Sequence, residues 1–148
     1  MESQIKKISA ILLVCLGIAQ PVLAFETSLA SHVRVALMKE EPYVIMAIRG
    51  KYKVVDIKTN KVIHKGKSFR KSKIKPEGKG IRFGKYFLNS SQIKIVPYRY
   101  TSIYRDKKVK RYIGKISIFL TKKNNLLLVN QLPLERYIKG VLYHEIPS

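Results

Sequence analysis

Residues 116–129 read ISIFLTKKNNLLLV. Ile116, Ile118 and Leu120 recur at every second position, which puts them on one face of an extended chain. Leu126 to Val129 is a second short apolar run, and Asn124-Asn125 between the two is a pair that tolerates the positive φ of a tight reversal. The stretch predicts an antiparallel hairpin. Working outward, the same period of two appears at Val33-Arg34-Val35-Ala36-Leu37, at Tyr52 to Val55 after Gly50, and at Ile93-Lys94-Ile95. Breaks fall at Glu41-Pro42, Thr59-Asn60, Pro76 to Gly80, Asn89 to Ser91 and Asn124-Asn125. Alternating runs divided by such breaks predict a succession of short strands packed as sheets.

One helix follows the last strand. Leu134, Tyr137, Ile138, Val141 and Leu142 fall at i, i+3, i+4, i+7 and i+8, a single apolar stripe. Pro133 suits a first helical position, Glu135 lies in the first turn where the helix dipole favours an anion, and Pro147 forces a stop. The expected fold class is therefore α+β: a β-rich domain of short antiparallel strands with one C-terminal amphipathic helix at about 133–145.

The 148 residues carry 30 Lys and Arg against nine Asp and Glu, a net charge of +21, yet 46% are hydrophobic. That is too apolar for a disordered basic tail, and too short for a two-domain enzyme. So large a surplus points to a polyanionic neighbourhood: nucleic acid, an anionic membrane or an anionic cell-wall polymer. The N-terminus bears on the choice. Lys6-Lys7 precede an apolar run from Ile8 to Ala19, Gln20-Pro21 breaks it, and Val22-Leu23-Ala24 resembles a signal-peptidase site. Residues 1–24 are expected to be a signal peptide or, uncleaved, an N-terminal anchor, and 25–148 an extracytoplasmic domain. Cys15 fits a lipidated cysteine poorly, because Val14 is bulky and the run ahead of it short. Without Cys15 no thiol remains, and His32, His64 and His144 are scattered, so no metal and no cofactor is expected. Export demotes nucleic acid as a partner and leaves envelope material. A membrane is a partner only if the leader stays attached.

The dense run Lys65 to Lys79, KGKSFRKSKIKPEGK, reads either as a polyanion-binding loop with Phe69 as an aromatic contact or as a solvated hairpin tip, the reading its composition favours. Arg105 to Arg111 poses the same choice. Tyr98, Tyr100 and Tyr104 could stack on sugars or bases, although tyrosines alternating along a strand more often pack a sheet face.

Glu145 lies eleven residues after Leu134, which returns it to within about 20° of the same direction on the helix. The expectation is a carboxyl on the stripe facing the sheet, near the negative helix end, where both burial and the dipole push its pKa upward. Such a group is suited to protonating a glycosidic oxygen. His144 beside it could bond substrate or lie exposed, and Tyr143 is a second candidate for substrate contact. Glu135, ten residues before Glu145, points elsewhere and reads as a helix-start residue.

The segment Tyr112 to Ser148 resembles the stage II sporulation protein D / LytB family of cell-wall proteins. Tyr112 and Gly114 match a YRG element with Ile113 in place of arginine. Val129-Asn130, Leu132-Pro133-Leu134-Glu135, Tyr137, Gly140-Val141 and Glu145-Ile146-Pro147 then follow the family's VN, LPLExYLxGV and EMP in register. The upstream stretch VRVALMKEEPYVIMAIRGKYKVVD is also similar to the family's opening strands. Sporulation members are lytic transglycosylases of peptidoglycan whose catalytic residue is the EMP glutamate, which implies Glu145 as a single general acid/base. LytB members are described as enhancers of an N-acetylmuramoyl-L-alanine amidase, which implies a non-catalytic alternative. A structural role in a sporulation or engulfment complex is a third. The family continues beyond EMP with a further helix, so the resemblance implies a domain incomplete at Ser148 and little activity from it alone.

Overall fold

The structure, a computed structural model, describes residues 31–145, and side chains from residue 31 to 141. The leader reading of residues 1–24 lies outside the described residues. Twelve strands and one helix follow in order: β1 (His32–Glu41), β2 (Val44–Arg49), β3 (Tyr52–Asp56), β4 (Val62–Gly66), β5 (Phe69–Glu77), β6 (Gly80–Phe83), β7 (Tyr86–Leu88), β8 (Gln92–Pro97), β9 (Tyr100–Arg105), β10 (Lys108–Tyr112), β11 (Lys115–Leu120), β12 (Leu126–Pro133) and α1 (Leu134–Glu145). The expected β-rich α+β fold is what the chain adopts.

The strands form two six-stranded sheets, ordered β1-β12-β11-β8-β3-β4 and β10-β9-β2-β5-β6-β7, and every pairing is antiparallel. The chain passes repeatedly from one sheet to the other, so inward rows from both meet in one core. Met46, Ile74, Ile81 and Phe83 come from the second sheet, and Val54, Ile93, Ile95, Ile116, Ile118, Leu126 and Leu128 from the first, all fully buried. The alternation that predicted the strands is the alternation that fills this core. Phe69 stacks on Phe83 at 4.2 Å, and the Tyr52 ring meets both edge-on or tilted at 6.2 Å.

The 116–129 hairpin forms as read, with Ile116 opposite Asn130, Ile118 opposite Leu128 and Leu120 opposite Leu126. Asn124 holds φ +58°, and the Thr121 N–H donates to the Asn125 carbonyl at 2.8 Å to close the loop.

Two expectations are overturned. The Lys65–Lys79 run is neither a loop nor a hairpin tip: most of it is β5, an interior strand between β2 and β6. Phe69 is buried in the core rather than offered to a ligand, and so is Ile74. Lys71, Lys73 and Lys75 point outward, where long stems lie along the sheet and the ammonium stays in water. Pro76 is tolerated because β2 pairs no further than Ile74, so only β6 flanks the strand there. Pro133 is also not the first helical residue. It ends β12 opposite His32, and the helix opens at Leu134, whose N–H donates to the Ser31 carbonyl at 3.0 Å. Arg105–Arg111 does contain a hairpin tip, with Asp106 and Lys107 both at positive φ.

Tyr100 and Tyr104 lie on the outward face of the second sheet, paired with Arg49 and Ile45. There they carry cations: Arg111 lies over Tyr100 at 5.3 Å and Lys71 over Tyr104 at 4.5 Å, while Lys73 lies over Tyr43 at 4.3 Å.

Candidate functional site around the C-terminal helix

Helix α1 leaves the sandwich directly from β12, and among the described residues only β12 and β1 pack against it appreciably. Among the described residues its apolar stripe is therefore only partly covered. Leu134 is 37% exposed, Tyr137 39% and Ile138 46%. The expectation that this stripe faces the sheet is met only in part along its described length, where Val141 is half-buried and the other three are exposed; the Glu145 side chain lies outside the described residues. Glu135 is exposed in the first turn and paired with Lys139 at 2.8 Å, as a helix-start residue one turn from its partner should be. Tyr143, His144 and Glu145 occupy the last turn, and their side chains lie outside the described residues. About 16 Å of helix separates Glu145 from Leu134 at 1.5 Å per residue.

At the base of the helix a cavity of about 380 Å³ is lined by Arg111, Tyr112, Ile113, Asn130, Leu132, Arg136 and Lys139. Asn130 is 5% exposed, and its Oδ1 has no hydrogen-bond partner among the described residues. A buried carbonyl oxygen without a donor is costly, and a turn of the Asn130 side chain toward the cavity would let a ligand hydroxyl or amide N–H satisfy it. Gly114 makes the site possible: its φ is +107°, and a Cβ there would strike the Gln131 carbonyl and crowd Leu132 and Asn130. Burial pushes the Tyr112 phenol above its usual range, which keeps it a neutral hydroxyl. Of the cations, Lys139 is tied to Glu135 and Arg111 lies over Tyr100, which leaves Arg136 to meet an anion.

Sequence elements some twenty residues apart thus converge here. Tyr112 and Gly114 precede β11, Asn130 and Leu132 end β12, and the β11–β12 register brings them to the foot of the helix. Sequence reasoning named Asn130 only as part of a pattern and did not single out Arg136. The signal for Asn130 was a polar residue at an inward-facing position of a strand, two residues beyond Leu128.

A second concave region lies at the other end of the first sheet, where Arg49, Lys51, Lys53, Lys65, Lys67 and Arg99 surround Tyr98. Sequence reasoning noted Tyr98 but none of these cations as a group. Among the described residues no group of three or more His, Cys, Asp or Glu side chains could hold a metal ion. No family model, curated protein or solved structure matches the chain.

Proposed function

We propose that the protein is an extracytoplasmic cell-wall remodelling protein that acts on peptidoglycan glycan strands, with Glu145 as a single general acid/base. The observation that carries this reading is the convergence of Tyr112, Gly114, Asn130 and Leu132 at the foot of the helix on which Glu145 lies. These are the residues through which the chain resembles the sporulation protein D family. The strongly basic surface supports an anionic partner.

In this reading the cavity with Asn130 and Arg136 holds the glycan through a sugar amide or hydroxyl and an acidic substituent. Glu145 gives its proton to the glycosidic oxygen as the bond to the anomeric carbon breaks. The 6-hydroxyl of the same muramic sugar then attacks that carbon, and its proton passes to the Glu145 carboxylate, which restores the acid. The internal nucleophile removes the need for a second carboxylate and a positioned water. The test is mass analysis of products from purified sacculi. Release of 1,6-anhydro-muropeptides by a form extended through the further helix that the resemblance implies, reduced by a hundred-fold or more in Glu145→Gln of that form, is expected, in line with loss of a general acid. Undiminished release by Glu145→Gln overturns the role.

A second reading, a non-catalytic activator of a wall amidase, draws on the partly exposed stripe of Leu134, Tyr137 and Ile138, which offers a partner an apolar face. It predicts faster peptide release by a purified N-acetylmuramoyl-L-alanine amidase when the protein is added. Ile138→Asp should abolish that gain.

A further inference from the structure

The tripeptides Lys51-Tyr52-Lys53 and Lys65-Gly66-Lys67 face each other across β3 and β4. Tyr52 pairs with Gly66, and Lys53 stands directly opposite Lys65. Tyr52 and Gly66 turn inward, with the Tyr52 ring lying against Gly66, while the lysines are exposed. Like charges directly opposite in an antiparallel pair are unfavourable, and here they are flanked by Lys51 and Lys67. The β2–β3 and β8–β9 turns add Arg49 and Arg99, and the Tyr98 N–H, donating to the Lys51 carbonyl at 2.8 Å, ties these turns together. The result is two adjoining depressions of about 610 and 580 Å³ that share Lys51, Lys67 and Tyr98. Tyr98 is 80% exposed between them.

No acidic residue lines either depression. Among the described residues none of the six cations has an ion pair or lies over an aromatic ring. The contrast with the outward face of the second sheet is sharp, since Lys71, Lys73 and Arg111 each lie over a tyrosine there. Opposed, exposed cations around a bare aromatic ring repel one another weakly through water, and an anion with a flat or apolar face would relieve that repulsion.

We propose that this groove binds an anionic glycopolymer of the cell wall, a chain of sugar or polyol units carrying phosphate or carboxylate at regular intervals, with Tyr98 against an unsubstituted unit and the lysines on the charges. The choice of a glycopolymer over nucleic acid rests on the extracytoplasmic reading above; the groove itself supplies the charge and the ring. Alternate residues of a strand are about 6.7 Å apart, so Lys51 and Lys53 present a repeating charge along the ligand.

Calorimetric titration of the whole chain with polyglycerol phosphate and with polygalacturonate tests this, with neutral dextran as the uncharged control. One carries phosphate and the other carboxylate, so their relative affinities identify the anion. Lys53→Gln/Lys65→Gln should weaken binding ten-fold or more and lower the salt dependence by about one charge for each lysine removed. Lys53→Arg/Lys65→Arg should stay within three-fold of the parent, and Tyr98→Ala should weaken binding about five-fold, the loss of one ring contact. The Gln variant removes a repulsion, so its thermal midpoint should not fall, which separates lost binding from lost folding. The matched pair Lys71→Gln/Lys73→Gln should change affinity less than three-fold. Equal losses from the two glutamine pairs would make bulk charge the cause and overturn the groove, as would tighter binding of duplex DNA at the same charge concentration and salt. Muropeptide release is read separately. Binding of these polymers through the groove with no release by the extended form overturns the cleavage reading alone, whereas release by the extended form while the Lys53/Lys65 variant binds normally overturns the groove alone.

Discussion

In the sandwich, each inward row of side chains meets another, and Ile93, Ile95, Ile116 and Ile118 are fully buried. Along helix α1 an equally regular apolar row, Leu134, Tyr137 and Ile138, remains 37–46% exposed. Both rows have the periodicity of a buried face. The difference teaches that patterning reports which face calls for cover, while the cover itself depends on what the rest of the chain, or a partner, places there. The strands obtain theirs from each other through the two-sheet arrangement. The helix leaves from the end of β12 and obtains little.

The largest effect that would sharpen this comparison is a cavity. Phe83→Ala should destabilise by about 3–5 kcal/mol in a denaturant titration, whereas Ile138→Ala should cost less than about 0.5 kcal/mol. Comparable losses at the two sites would show that the helix face is in fact packed in solution.

Glycines give a smaller and opposite-signed version of the same contrast. Gly114 has φ +107° and no room for a Cβ, so Gly114→Ala should cost about 1–3 kcal/mol. Gly140 is helical with no described residue within 4 Å of a Cβ built there, so Gly140→Ala should stabilise by about 0.5–1 kcal/mol. A loss at position 140 would mean that something approaches the helix at that point.

The smallest effect is a pH dependence. His64 lies between the core and the cationic groove, its Nε2 3.1 Å from the Tyr52 hydroxyl and its ring 4.3 Å from that of Tyr86. Burial holds its pKa below the usual 6.5. Because the folded state disfavours the proton, the stability tied to neutral His64 is complete above that value and declines as pH falls below it. Thermal midpoints measured from pH 8 to pH 5 should therefore fall more for the parent than for His64→Gln. An identical fall in both would assign the acid sensitivity to other groups.

Much of the fold is written locally. Val33 to Leu37, Tyr52 to Val55, Ile93 to Ile95 and Ile116 to Val129 carry their strand period openly, and Asn124 marks its reversal. Strand β5 is hidden because its outward residues are lysines and its inward ones, Phe69, Ser72 and Ile74, skip one place where the register shifts between Met46 and Ile48 of β2. A bulge breaks a period that sequence inspection relies on. The helix was legible as an element, but its direction relative to the sheet was not, since that depends on how β12 ends. Of the two concave regions, the helix base could be glimpsed through Tyr112, Gly114 and Asn130. The groove could not, because Lys53 and Lys65 become neighbours only through the β3–β4 register, and Arg49, Tyr98 and Arg99 join them through the adjoining turns.

The four outermost strands, β1, β4, β7 and β10, give the positive charge one more consequence. Among the described residues each is an unpaired edge to which another copy could add by backbone hydrogen bonding. Lys108, Lys110 and Arg111 on β10, Lys65 on β4, Arg34 on β1 and Lys85 beside β7 place a cation on or beside every one of them. Mutual repulsion of identical molecules thus acts at the very edges where they would otherwise zip together, and so favours solubility. A polyanion that neutralises the chain also removes this guard, so condensation of protein and polymer is expected near charge balance, dissolving again when either is in excess.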